Sequence, residues 1–189
     1  MKKIFLIFII YFISLNSSKA LIEVDITRGN LDPLPIAVSP LHVDIKSEEY
    51  EGLKIKELGS NISKIIERNF KSTGLFNPLA KEAFVQKPDI AHLKPRFEDW
   101  RLIKAQALVT GKLLVKDGKL KIEFRLWDLA AAKEMTALAF TTTPSNWRRV
   151  AHIISDKIYE RLTGEERYFD TRIIYVSESG PKSERVKKL

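Results

Sequence analysis

The sequence predicts a mixed α/β fold of the α+β type: a mixed sheet of about five strands with two principal helices on one face. Three observations carry that expectation. Two long stretches place apolar residues at helical spacing. An Asp-Gly pair sits between two alternating runs, the strongest short signal for a hairpin. Several apolar runs too short for helices are bounded by proline and glycine, as strands are.

Leu21 to Thr27 (LIEVDIT) reads as a short extended segment, with Ile22, Val24 and Ile26 on one side and Glu23, Asp25 and Thr27 on the other. Arg28-Gly29-Asn30 breaks it. Asp32-Pro33-Leu34-Pro35 reads as a stiff linker, because proline biases the residue before it away from helix. Ile36 to Leu41 suits a buried strand ended by Pro40.

The first helix is expected over residues 53–73, where Leu58, Ile62, Ile65, Ile66 and Phe70 make one stripe opposite Lys64, Glu67, Arg68 and Lys71. Gly74 stands where a left-handed cap is wanted. A helical turn is expected near Ala80–Phe84, a loop from Lys87 to Pro95, and a helix from Pro95 to about Ala105. Two strands follow, Ala107–Val115 and Leu120–Trp127, joined through Asp117-Gly118. In the second, Leu120, Ile122, Phe124 and Leu126 alternate with charged residues, so one side faces a core.

Glu134 to Thr142 reads as a third strand of the meander. Thr143 then serves as a cap and Pro144 as the first position of a long helix. Its stripe is Trp147, Val150, Ala151, Ile154, Ile158 and Leu162, and Gly164 ends it. Thr171–Ser177 (TRIIYVS) reads as another strand, one without a sheet of its own.

The amino terminus carries an address. Lys2 and Lys3 precede the apolar run Ile4–Ile13, and Ser18 and Ala20 form a small-residue junction. That is the layout of a secretory signal peptide, with cleavage expected between Ala20 and Leu21. The run is too short to span a bilayer, so no membrane span is expected after cleavage.

Composition narrows the chemistry. With no cysteine, thiol nucleophiles, thiolate metal sites and disulfides are excluded. The formal net charge is +8, and Lys2, Lys3 and Lys19 contribute three of those charges. The rest are scattered among acids, so no basic face for nucleic acid is expected.

The search for a reactive centre returns nothing. His42, His92 and His152 share no metal-ligand spacing. Thr110-Gly111-Lys112 lacks the upstream glycine of a phosphate loop, since that position is Gln106. No G-x-S-x-G elbow is present. Glu98/Asp99 and Glu165/Glu166 lie at helix ends, where solvated charge is ordinary. The expectation is no catalytic residue, no metal and no cofactor. A small exported hydrolase or ligand-binding domain using His152 is the competing reading, and a fragment without function the third.

Several long blocks, PRFEDWRLIKAQALVTGKL, FRLWDL and TTPSNWRRVAHIISDKIYERLTGEERYFDTRIIYVSESG, together with the opening IEVDITRGNLDPLPIAV, resemble the amino-terminal half of the TolB family of the Tol–Pal system. The resemblance implies an amino-terminal α/β domain followed by a six-bladed β-propeller, in a periplasmic protein–protein interaction component that is not an enzyme. It further implies support of outer-membrane invagination during cell division and of envelope integrity. The implied domain plan is a signal peptide over 1–20, a partner-binding strand and linker over 21–34, the α/β domain over 35–166, and the first propeller strand within 167–189, the propeller itself being expected to be missing. By that resemblance Leu21, Ile22, Glu23, Val24, Asp25, Ile26 and Thr27 engage the periplasmic domain of TolA. Pal docking would belong to the propeller.

Overall fold

A computed structural model describes residues 32–50, 52–172, 176–181 and 184–188. Its centre is an open six-stranded mixed sheet. Strand β1 (Leu34–Val38) lies between β3 (Phe76–Pro78) and β4 (Ala107–Lys116) and is parallel to both. β2 (His42–Val43) also runs parallel to β4, one step further along the line of β1. The break between them is Ser39-Pro40-Leu41, where proline offers no N–H to the ladder. β5 (Lys119–Asp128) and β6 (Lys133–Thr142) complete an antiparallel meander with β4. The edges are β3 and β6.

The β4–β5 turn has the predicted chemistry. Asp117 and Gly118 take φ values of 51° and 66°, as a type I′ turn requires. Helix α1 (Ile55–Thr73) buries the whole predicted stripe and ends on Gly74 at φ 71°. Helices α2 (Pro88–Ala91) and α3 (Phe97–Leu102) are short. Helix α4 (Trp147–Thr163) ends on Gly164 at φ 73°.

Alternation along the strands makes two cores. Ile36, Val38, Val109, Leu113, Leu120, Ile122, Phe124 and Leu126 pack with α1 and α4. Both principal helices therefore cover one face, as expected. On the opposite face Ala37 and Leu108 meet Trp100, Ala91 and Leu129 under the short helices. Buried Gln86 pins this second layer. Its Oε1 accepts from Trp100 Nε1 at 3.0 Å and from the Arg96 N–H at 2.9 Å, and its Nε2 donates to the Lys94 carbonyl.

Four local expectations change. Leu34 and Pro35 belong to β1 rather than to a linker: Pro35 needs no donor on its own N, and its carbonyl still accepts from Gln106 at 2.9 Å. Lys87–Pro95 is not all loop, because Pro88 opens α2 at a first-turn position that tolerates it. Thr143 makes no side-chain cap bond to the helix; a 3₁₀ turn over Pro144–Asn146 comes first, and Asn146 Nδ2 donates to Thr143 Oγ1 at 3.1 Å. Within Thr171–Ser177, residues 173–175 lie outside the described set. Ser177 opens a separate antiparallel hairpin, β7 (Ser177–Ser179) with β8 (Val186–Lys188).

Candidate functional site

The predicted partner-binding residues Leu21–Thr27 and the Ala20/Leu21 junction lie outside the described residues. The structure does show what that segment is rooted in. Asp32 and Pro33 are exposed, and the next residue, Leu34, is buried. The Leu34 N–H donates to the Leu75 carbonyl at 2.9 Å, and β1 is then held on both sides. From exposed Asp32 and Pro33 the chain thus passes within two residues into a strand paired on both sides.

The polar groups inside the body are consumed by structure. Between the principal helices, Asn69 Nδ2 donates to His152 Nδ1 at 3.0 Å and to Ser155 Oγ at 2.9 Å, and Ser155 donates to the Ala151 carbonyl. His152 is thereby a helix–helix pin, held by the side-chain amide of Asn69. Asp156, also buried, accepts the N–H groups of Tyr168, Phe169 and Asp170 at 2.8–3.0 Å. Tyr159 meets Tyr168 and Phe169 edge-to-face at 5.3 and 5.7 Å, and Tyr168 and Phe169 lie tilted against each other at 4.4 Å. This locks the segment after α4 back against the helix. Sequence reasoning missed that device, since a carboxylate twelve residues upstream carries no local signal.

The third feature is the open part of the sheet beside α2 and α3. Thr110 and Lys112 of β4, Glu123 and Arg125 of β5, and Ala137 and Ala139 of β6 share this face. A cavity of about 210 Å³ lies there, lined by His92, Lys112, Glu123, Arg125, Ala137 and Ala139 among others. His42 and His92 stack in parallel at 4.5 Å along its flank. Burial, with smaller contributions from His42, Lys112 and Arg125, holds the His92 pKa below its usual value. Its Nδ1 donates to the Pro88 carbonyl at 2.9 Å, a bond that works against that lowering without reversing it. Glu123 is held below the usual carboxylate range, first by the hydrogen bond from Lys121 and then by Lys112. Arg125 reaches the His92 carbonyl at 3.0 Å and Glu134 at 3.2 Å. No group of metal-ligating side chains occurs among the described residues, and none of the described helices is long and apolar enough to cross a membrane.

These features define a mixed α/β domain whose first strand is paired on both sides, with a locked exit after the last principal helix and an open charged sheet face. Residues 22–135 match the model of the TolB amino-terminal domain. The chain is 67% identical over 185 residues to the Tol-Pal system protein TolB of Pelagibacter ubique (strain HTCC1062), covering 97% of this chain and 42% of that protein. The crystal structure of TolB from Acinetobacter baumannii shares the fold, with a TM-score of 0.61 and 22% identity over 77% of this chain and 32% of that one. The chain belongs to the TolB family of the Tol–Pal system, over its amino-terminal domain. It spans less than half the length of the curated relative it matches.

Proposed function

We propose that this chain acts in the periplasm as a protein–protein interaction component of the Tol–Pal system, without catalysis, and supports outer-membrane invagination at division and envelope integrity. Its amino-terminal segment Leu21–Thr27, freed by cleavage after Ala20, pairs as a strand with the periplasmic domain of TolA. The 67% identity to a Tol-Pal system TolB over nearly the whole chain is the observation that carries the reading.

The physical case is strand addition. An extended segment gains affinity from main-chain hydrogen bonds and selectivity from alternate side chains. Ile22, Val24 and Ile26 supply one apolar side, and Glu23 and Asp25 keep the other solvated until pairing. Gly29 and Pro33 separate the segment from the body, while Leu34 and Ile36 fix the base. Pal docking is assigned to the carboxy-terminal part of the full-length relatives and not to residues 35–166, and residues 167–189 to the start of that part. Titrating the chain with TolA's periplasmic domain, and repeating with residues 21–32 deleted, tests the mechanism. Loss of binding on deletion is expected; equal affinity would remove strand pairing.

A further inference from the structure

The two edges of the sheet are treated very differently. Native sheets protect an edge by keeping it short, charging it, bending it or placing proline on it. β3 is three residues long and ends in Pro78. β6 has ten residues and, among the described residues, is hydrogen-bonded to β5 alone. Its charges, Lys133 and Glu134, and its register shift near Met135 are confined to the first turn of the strand. From Thr136 to Thr142 the sequence TALAFTT carries no charge and no proline.

We infer that the β6 edge is an acceptor for an extended partner strand whose alternate side chains are apolar and acidic. The apolar half follows from the helix-side face. Phe140 stacks in parallel on Phe124 at 6.2 Å, yet neighbouring Leu138 is left 39% exposed. An added strand would place an apolar side chain beside Leu138 and extend the core by one row. The acidic half follows from the other face. Ala137 stands opposite Arg125, Ala139 opposite Glu123 and Thr141 opposite Lys121. The small β6 side chains leave the cavity open to the edge, and Lys112, Lys121 and Arg125 outnumber their ion-pair partners Glu123 and Glu134 by three to two. A carboxylate arriving over Ala137 or Ala139 comes within reach of Lys112 and Arg125, where two cations share the lining with the one carboxylate of Glu123. Pairing with a second copy through β6 would crowd two such sets of cations onto one face, which disfavours it. This inference is independent of the TolA reading, which makes the chain a donor of a strand rather than an acceptor.

The test uses a fluorescent, end-capped peptide Thr-Val-Glu-Val-Glu-Val-Glu-Thr and its counterpart with lysine for glutamate, titrated into the purified chain. The glutamate peptide is expected to bind about tenfold or more tightly than the lysine one, with amide shift changes centred on residues 135–142. Leu138→Lys should abolish binding without moving the melting temperature, and Lys121→Ser should narrow the preference between peptides. Equal binding of both peptides, or shift changes centred elsewhere, would overturn the inference. So would a concentration-dependent dimer that occupies β6, or peptide binding that appears only after residues 21–27 are deleted, since each assigns the edge to this chain itself.

Discussion

The Leu41 N–H donates to the Gly59 carbonyl at 3.3 Å, and a Cβ placed on Gly59 would collide with the Leu41 carbonyl oxygen. Helix α1 is thus seated directly on the backbone break between β1 and β2. Gly59 is required by close approach, not by its own torsion. Gly59→Ala should destabilise the domain by about 3 kcal/mol, the upper range for overpacking, because the obstructing atom is backbone. Urea unfolding would read it. Gly52→Ala serves as the contrast: φ is 74° there, but nothing lies within 4 Å of an added Cβ, so the cost is local strain of about 1 kcal/mol.

Asp156 offers a second measurable contribution. Asp156→Ala strips the acceptor from three N–H groups at residues 168–170. A loss of about 1.5–3 kcal/mol is expected for a buried charged acceptor whose donors lie on exposed or half-buried residues. Limited proteolysis should show new cleavage between residues 164 and 172, while α1 and the sheet stay protected. An unchanged cleavage pattern would mean that the edge-to-face contacts of Tyr159 with Tyr168 and Phe169 hold the segment by themselves.

His92 predicts a pH dependence. Its folded pKa lies below the unfolded value, so the unfolded chain binds the proton first as pH falls. By linkage, stability drops as pH decreases through the unfolded value of about 6.5 and levels off below the folded pKa. The groups facing it, His42, Lys112 and Arg125, oppose protonation in the same direction. In denaturant titrations, His92→Gln should flatten the slope between about pH 7 and pH 5 relative to the parent chain. An identical slope in both would contradict the assignment.

The root of the amino-terminal segment can be separated from the segment itself. Deleting residues 21–31 should leave the melting temperature unchanged. Ile36→Ala, in a strand paired on both sides and fully buried, should cost about 3 kcal/mol. Comparable destabilisation by the deletion would show that those residues belong to the body.

What could be read from the sequence were the elements whose signals are local. The Leu58–Phe70 stripe, the Asp117-Gly118 turn and the glycine caps at 74 and 164 each declare themselves within a few residues. The parallel seating of β1 between β3 and β4 does not, because it joins residues some 40 to 70 positions apart and one partner strand is only Phe76–Pro78. A comparable separation hid the His42–His92 stack, and the 12 to 14 positions spanned by the Asp156 lock are already too many for a local signal. The open β6 edge was hidden differently: its alternation shows a strand, but no pattern within a strand says whether its outer side has a neighbour. The alternation in Leu21–Thr27 was legible as an extended segment, and its assignment to TolA came from family resemblance.

The central claim is best tested by calorimetric titration of TolA's periplasmic domain into the chain carrying Val24→Pro. Proline removes one main-chain donor from the middle of the proposed strand and cannot affect a body that begins at Leu34. Affinity should fall by about tenfold or more, the equivalent of roughly 1.4 kcal/mol, with the unfolding curve unchanged. Undiminished affinity of Val24→Pro would contradict strand pairing through this segment.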